Sequence, residues 1–262
     1  IATEGGYRAT GRWSFASGVD YADWCFLTSL VSEPHDGDPT GPYFLMVPAA
    51  DYHIDHDSWQ VSGLRATGSK DVVLHETFVP MHRACFLPSL LSGNSPGSKI
   101  HRGSLFHVPG HPFLVAVLAT PVLGAVQRGV ELFRDRIVER RFSLTGQRQA
   151  EQPAAKVALA EADACVTAAQ ALLENTFSTI ERLVPEASLV QQARIPRDTA
   201  FAMQLLVRAI DIVFENVGGA ALQESNPIQR IWRDVHAAKA HAAVNWNTQA
   251  LAWGELSLDD AN

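Results

Sequence analysis

The spacing of hydrophobic residues changes once along the chain, near residue 113. From Ile1 to about Pro88, apolar residues occur in short runs rich in aromatic and β-branched side chains, separated by clusters of Gly and Pro. Runs of this kind predict β-strands. After residue 113, long segments rich in Ala, Leu and Val repeat their apolar positions at helical spacing. The pattern therefore predicts a β half followed by a helical half.

The helical half is predicted to contain four helices, at roughly 113–142, 150–184, 197–217 and 227–253. Asp198 is expected to cap the third helix, and Gly218 with Gly219 to end it. The segment Ser225–Pro227 offers a cap followed by proline at the first helical position. Long helices with short connections favour an antiparallel four-helix bundle.

A stretch rich in Gly, Ser, Pro and His joins the two halves and has no sustained periodicity. A linker or a functional loop is typical of such a stretch. We therefore expect a β-domain at 1–90, a linker or active-site loop at 91–112 and a helical bundle at 113–262.

Composition and charge favour some classes of protein and disfavour others. Of 262 residues, 47% are hydrophobic and 19% are charged, which is typical of a globular protein with a substantial core. The formal charge is -7, and Lys and Arg form no cluster, so neither nucleic acid nor an anionic membrane is an expected partner. The three cysteines are widely separated and have no CxxC spacing, which disfavours a disulfide framework and a zinc site. A cytoplasmic location is the expectation.

The most apolar run, at 113–126, is shorter than the roughly 20 residues that cross a bilayer and contains Pro121 and Gly124. It predicts a buried helix. The first residues lack the basic and apolar regions of a signal peptide. The histidines and aspartates of His53–Asp57 suggest a metal site, but no further cluster of ligands supports one, so no metal is expected.

Five segments carry small, aromatic and charged residues in a distinctive order. They are GRWSFASGVDYADW (11–24), WQVSGLRATGSKDVVLHETFVP (59–80), GAVQRGVELF (124–133), FENVGGAAL (214–222) and RIWRDVHAAKAH (230–241). In this order they resemble the acyl-CoA dehydrogenase fold and, within it, the oxygenase components of two-component (group D) flavin-dependent monooxygenases. Those enzymes hydroxylate p-hydroxyphenylacetate, steroid-derived phenols and similar compounds. The resemblance covers nearly the whole chain.

The resemblance implies an α+β fold in which a β-barrel-like middle domain is followed by an antiparallel four-helix bundle. By the resemblance, this sequence begins at the middle β-domain, and the N-terminal helical domain of the family is expected either to be truncated or to lie outside these residues. The family usually assembles as a homotetramer, and the same is expected here.

The resemblance also implies a reaction, the hydroxylation of a small phenolic or polycyclic aromatic substrate, a polyketide among them, through a flavin C4a-hydroperoxide. The cofactors would be reduced FMN or FAD (FMNH2 or FADH2) and O2, and a separate NAD(P)H-dependent flavin reductase would deliver the reduced flavin. Two alternatives stay open. One is an acyl-CoA dehydrogenase with a displaced catalytic base, and the other is a non-catalytic flavin-binding scaffold.

The catalytic residue implied by the resemblance is His241. Many dehydrogenases of the family keep a glutamate base at the position of Ala242, whereas the monooxygenase branch places a histidine just before it. A histidine titrates in the range that proton transfer near neutral pH requires. The helical pattern alone favours a histidine that only forms a hydrogen bond in the bundle. His236, five residues earlier, would face another side of a continuous helix and is interpreted as structural or at a pocket edge.

The remaining candidate residues are also implied by the resemblance. Ser17 would donate a hydrogen bond to the flavin adduct or substrate, and Trp13 would flank the ring system. Thr67 and Ser69 would contact the isoalloxazine or phosphate region. Each of these residues could equally belong to a turn or to the core.

The resemblance implies that residues of two pairs contact the phosphate of the flavin. Gly218 and Gly219 would allow close backbone approach to the phosphates of a neighbouring subunit's flavin, although a simple helix end explains them equally well. Either Arg140 or Arg141 would bind phosphate, since the arginine motif of the family is shifted here by one residue. The histidines His101, His107 and His111 fall in a segment that borders the active-site entrance in relatives.

Overall fold

The computed structural model describes residues 1–142, 144–183 and 187–259. Residue 184, where the second helix was expected to end, and the last three residues of the predicted bundle lie outside the described residues. The chain forms two compact units. Residues 1–61 and 65–110 make up the first, and residues 62–64 join the helices from residue 111 onward in the second. Residues 91–110, predicted as a linker, thus lie in the first unit. The division at 90 and 112 stays a prediction.

Two antiparallel sheets build the first unit. One has the strand order β1 (Ala2–Thr3), β2 (Gly6–Ala16), β6 (Lys70–Pro80), β5 (His53–Asp55), and the other the order β3 (Trp24–Val31), β4 (Gly41–Pro48), β7 (Ala84–Phe86). Alternate strand residues from both sheets are buried in one hydrophobic core, among them Tyr7, Leu27, Leu45 and Val72. The predicted β half is confirmed.

Strand β2 is irregular where it approaches its end. Its register with β6 shifts between Trp13 and Ala16, and Phe15 has a φ of 64°. Positive φ is unusual for a bulky residue and bends the strand at a bulge. This bend leads directly into the turn that contains Ser17.

Long helices build the second unit after the short α1 (Leu87–Leu91) of the first. They are α2 (Gly110–Glu139), α3 (Pro153–Arg182), α4 (Leu189–Val217), α5 (Pro227–Lys239) and α6 (Trp246–Asp259). Their apolar positions meet in a core in which Val126, Phe133 and Leu206 are fully buried. Among the described residues, α2 is the one helix long and apolar enough to cross a membrane, a test that a core helix also passes. Since Val126 and Phe133 of α2 lie in this core, the prediction of a buried helix there is confirmed.

The predicted start of the third helix was wrong. Helix α4 begins at Leu189, where Ser188 and Gln191 form a capping box, and Pro196 lies inside the helix. Asp198 is therefore buried within α4, where it accepts hydrogen bonds from Arg194 and Arg197. The predicted end is confirmed, because Gly218 caps α4 with a φ of 70°.

The predicted helix at 227–253 is interrupted. Asn226 caps α5 and Pro227 is its first residue, as expected, but α5 ends at Lys239 and α6 starts at Trp246. Between them the His241 side chain accepts a hydrogen bond from Ala243 N, and the Asn245 side chain accepts one from Thr248 N. Such bonds between side chain and backbone compete with helical ones, and they override the helix propensity of the alanine-rich run.

Candidate functional site

Three side-chain hydroxyl groups, each predicted separately from the sequence as a site residue, are linked in a row by hydrogen bonds in the first unit. Ser17 Oγ is 2.8 Å from Ser69 Oγ, and Ser69 Oγ is 2.7 Å from Thr67 Oγ1. Ser69 is only 6% exposed. The structure therefore joins Ser17, Ser69 and Thr67, which we call the hydroxyl chain, into one polar group in which Ser69 is the buried centre.

Two turns hold the hydroxyl chain together. The N–H of Gly18, which has a φ of 75°, donates to the carbonyl oxygen of Thr67 over 2.7 Å. Lys70 Nζ donates to both carboxylate oxygens of Asp20 at 2.8 Å. Gly68 has a φ of 49°, which favours glycine at this turn, and a Cβ there would lie 2.8 Å from Asp20 Oδ2. No local pattern in the sequence indicates this ion pair, because Asp20 and Lys70 are 50 residues apart.

The aromatic residues near Ser17 have different environments. Trp13 donates from its indole nitrogen to the carbonyl oxygen of Thr28 at 2.7 Å, which fixes the ring. Phe15 is 76% exposed and meets the ring of Trp59 edge-on, with the centroids 6.1 Å apart. An exposed, backbone-strained aromatic residue is a common feature of functional sites.

The second unit separates the two candidate arginines. Arg140 Nη1 donates to the carbonyl oxygen of Val217 at 3.1 Å, so this guanidinium lies at the end of α4 beside Gly218. Arg136 approaches the same oxygen at 3.5 Å, and burial, followed by the charge of Arg140, lowers its pKa. Arg141 instead donates to the carbonyl oxygen of Gly146 within its own turn. Arg140 and Gly218 are thus brought together, and Arg141 is not.

Gly218 and Gly219 face open space. Within the described part of the chain, no atom lies within 4 Å of a Cβ built at either glycine. Neither glycine is therefore required by packing inside this unit, although the positive φ of Gly218 favours glycine at the helix end. The turn at Gly218, next to the guanidinium of Arg140, is thus open within the described part of the chain.

The two histidines of the last motif differ in environment. His241 is exposed, and its Nδ1 accepts the N–H of Ala243 at 3.2 Å, so the neutral ring carries its proton on Nε2. His236 lies 2.8 Å from Asp211 Oδ1 and packs against Trp232, whose indole N–H donates to the same carboxylate oxygen at 2.7 Å. These contacts tie α5 to α4, and a structural role for His236 stays a prediction.

The His53–Asp57 segment is used in polar contacts of the first unit. Asp55 pairs with Arg12, and this bond holds the pKa of the Asp55 carboxyl below its usual range. His56 Nδ1 lies 3.0 Å from Lys70 Nζ. In the part of the chain that the structure describes, no group of three His, Cys, Asp or Glu residues is placed to hold a metal ion.

The other histidines of interest lie around residues 101–111. His107 Nε2 is 3.1 Å from the carbonyl oxygen of His101, whose ring stacks on Phe106. His111 belongs to the second unit, and burial lowers its pKa. Their predicted place beside an active-site entrance stays a prediction.

The fold and motifs define a member of one protein family. Residues 116–246 match the family model described as acyl-CoA dehydrogenase, C-terminal domain, and the chain belongs to this family. The predicted resemblance and fold class are confirmed.

Several relatives are flavin-dependent hydroxylases. The chain is 34% identical to the oxygenase component of an FADH2-dependent resorcinol hydroxylase from Rhizobium sp., over 98% of this chain and 65% of that protein. It superimposes on 3-HSA hydroxylase from Rhodococcus sp. RHA1 with a TM-score of 0.87 and 29% identity, over 98% of this chain and 66% of that one. XiaF from Streptomyces sp., solved with FADH2, gives a TM-score of 0.83 at 29% identity, over 98% and 65% of the two chains. The chain thus spans slightly less than two thirds of the length of these proteins.

Proposed function

We propose that this chain belongs to the oxygenase component of a two-component flavin-dependent monooxygenase that hydroxylates a small phenolic or polycyclic aromatic substrate. The observation that carries the proposal is the 34% identity to a resorcinol hydroxylase oxygenase component, which extends over 98% of this chain. The residue after His241 is Ala242, where many dehydrogenases of the family keep a glutamate. An oxygenase explains this substitution better than a dehydrogenase does.

The described residues fit a flavin by their chemistry. The hydroxyl chain offers neutral groups that donate or accept hydrogen bonds, as the polar edge of a flavin ring needs. Arg140, beside the open turn at Gly218, offers a guanidinium of the kind that binds phosphate. Reduced FMN or FAD, when bound, supplies the electrons and activates O2 for transfer of one oxygen atom to the ring.

The side chains of the protein orient the reactants and handle protons. Ser17 presents its hydroxyl to the flavin, while Trp13, fixed by its bond to Thr28, supports the strand beside it. His241 donates a hydrogen bond from Nε2 to the oxygen of the phenolic substrate, because its Nδ1 is already occupied by the N–H of Ala243. This bond favours the ionised form of the phenol, whose proton passes to water, and the ring of the phenolate is more reactive towards an electrophilic oxygen than that of the neutral phenol.

Partner proteins are part of the proposal. The relatives are named as oxygenase components, which supports a separate NAD(P)H-dependent flavin reductase as the source of reduced flavin. We also propose a cytoplasmic homotetramer. Apolar side chains exposed on the helices, such as Leu189 and Leu251, and the open turn at Gly218 support contacts between subunits. Light scattering on the full-length protein tests this assembly, since a particle with the mass of one chain would contradict it.

The activity is tested with the full-length protein, enzymatically reduced FMN or FAD, and air. Resorcinol and p-hydroxyphenylacetate serve as substrates, and mass spectrometry follows the product. A product with one added oxygen atom is expected. Anaerobic bleaching of bound FAD by an acyl-CoA would instead identify a dehydrogenase, and flavin binding without any product would identify a scaffold.

A further inference from the structure

The second unit contains a cavity that the proposed reaction does not use. It lies between α4, the end of α5 and the start of α6, and its volume is about 230 Å³. A cavity of this size suits a ligand with a single aromatic ring. Its wall includes Gln204, Lys239, Val244, Asn245, Trp246 and Asn247.

The polar side chains of this wall favour an anionic ligand. Lys239 supplies a positive charge, and none of the described wall residues is Asp or Glu. Within the part of the chain that the structure describes, no carboxylate lies within ion-pair distance of Lys239. Gln204 and Asn247 add amide N–H donors to the same wall. A carboxylate group matches this set, because it carries one negative charge and accepts several hydrogen bonds.

The remainder of the wall suits an aromatic ring. Ala200 and Met203 of α4 also line the cavity and are buried in the helical unit. The ring of Trp246 packs against Phe201, with the centroids 5.5 Å apart, and adds an aromatic surface to the wall. Aromatic rings pack favourably against one another and against apolar side chains. A small aromatic carboxylate therefore matches both parts of the wall.

The same wall belongs to the turn that carries His241. Val244 is 2% exposed, and its N–H donates to the carbonyl oxygen of His241 at 3.1 Å. The N–H of Ala243 donates to the His241 ring, and the carbonyl oxygen of Ala243 accepts from Gln249 Nε2 at 3.0 Å. A ligand in the cavity would contact Val244 and Asn245, which these bonds connect to His241.

We propose that the cavity binds a small aromatic carboxylate through Lys239, and that its occupancy changes the position of His241. The ligand would act as an effector, since it lies in the cavity behind the turn rather than at the exposed His241 side chain. The effect on activity rests on the proposed function, in which His241 contacts the substrate. Binding in the cavity does not depend on it.

Binding is tested with benzoate and with benzamide, its uncharged analogue, by calorimetry on the full-length protein. Lys239→Gln should weaken benzoate by about tenfold or more, because it removes the charge that pairs with the carboxylate, and leave benzamide nearly unchanged. Asn247→Asp keeps Lys239 but adds a carboxylate to the wall, and it should weaken benzoate to a similar extent.

Lys156→Gln is the matched control. Lys156 is an exposed residue of α3 in the same unit, and its substitution should change neither affinity. The site is overturned if wild type does not bind benzoate, or if Lys239→Gln binds it as tightly as wild type does.

The effect on His241 is measured by NMR, from an imidazole signal assigned by its loss in His241→Ala. Saturating benzoate should shift this signal in wild type and not in Lys239→Gln. It should also change kcat for hydroxylation by about twofold or more in wild type alone. Bound benzoate that leaves the His241 signal unmoved would contradict the effect on position. An increase in KM alone, equal in both proteins, would place benzoate in the substrate site and overturn the inference. A shift of His241 without any product from reduced flavin and air would contradict the proposed function and leave the cavity site in place.

Discussion

The backbone N–H of Leu64 donates a hydrogen bond of 2.6 Å to the carboxylate of Asp234, across 170 residues of sequence. The neighbouring Arg233 donates to the carbonyl oxygen of Ser62 at 2.6 Å. The two residues of the Arg-Asp motif thus bind the segment 62–64 to the helical unit, and Leu64 adopts a φ of 55° in the process. Arg233 and Asp234 thus hold this segment in place, which their position in the sequence did not indicate.

Gly63 should be intolerant of any side chain. A Cβ at this position would overlap the carbonyl oxygen of Arg233 and lie 3.0 Å from Ala237 Cβ. Because the first clash is with backbone, relief requires movement of α5 or of the segment. Gly63→Ala should lower the free energy of unfolding by about 2 to 3 kcal/mol, measured by urea denaturation.

Gly124 is the matched control for this substitution. It lies inside α2, and within the described chain no atom is within 4 Å of its Cβ position. Gly124→Ala should therefore stabilise the protein by about 0.5 to 1 kcal/mol through helix propensity. Equal stabilities for the two variants would contradict the packing described around Gly63.

Substitution of the two histidines should separate activity from stability. His241→Ala is expected to lower hydroxylation by about 100-fold or more, while flavin affinity and unfolding temperature change little, because the side chain is exposed and assigned to proton handling. His236→Ala should instead cost about 1 to 2 kcal/mol of stability, since it removes the bond to Asp211 and the packing on Trp232. Steady-state rates and thermal melts on both variants check this. Full hydroxylation activity in the His241→Ala variant would show that His241 takes no part in the mechanism.

The two arginines should differ in their effect on phosphate binding. Arg140 lies beside the open turn at Gly218, whereas Arg141 bonds within its own turn. Arg140→Ala should weaken FMN by about tenfold and leave the affinity for riboflavin, which has no phosphate, nearly unchanged. Arg141→Ala is the control and should change neither affinity. If Arg140→Ala lowers the affinities for FMN and riboflavin equally, the role of Arg140 is to support the end of α4.

Tyr7 should make the protein sensitive to alkali. Burial, followed by the proximity of Tyr43 and Asp38, raises the pKa of Tyr7 from 10.0 to about 12. Since the folded state holds the proton more tightly than the unfolded state, this contribution to stability is complete below pH 10 and is lost as the pH rises towards 12. The loss attributable to Tyr7 is about 2 to 3 kcal/mol of the free energy of unfolding.

Denaturation curves at several pH values from 9 to 12 test this expectation. Tyr7→Phe should be less sensitive to pH in this range than wild type, because the group that ionises is gone. Tyr21→Phe, at a ring that is 94% exposed, controls for the loss of a tyrosine hydroxyl. The assignment fails if wild type and Tyr7→Phe lose stability in parallel.

Local pattern was enough to predict much of the fold. Short runs rich in aromatic and β-branched residues between Gly and Pro clusters predicted the β half, because such side chains suit strands and such clusters form turns. Helical spacing of apolar residues predicted the helices, because burial of one helix face depends on the period of the sequence. The end of α4 at Gly218 and the start of α5 at Asn226 and Pro227 were predictable for a related reason. Caps act on backbone groups within a few residues of themselves.

Two helix boundaries were missed although the bonds that set them are local. The side chains of His241 and Asn245 break a run of good helix formers, and the capping box at Ser188 begins α4 well before Asp198. Other features depended on residues far apart in sequence, and only the tertiary structure decided them. Long-range contacts also decided which candidates lie together. Ser17 joins Ser69 across 52 residues, and Arg140, rather than Arg141, meets the end of α4 across 77. The sequence by itself determined which elements form and which residue types are available for chemistry, whereas their grouping required the folded chain, because hydrogen bonds depend on distance in space and not on separation along the sequence.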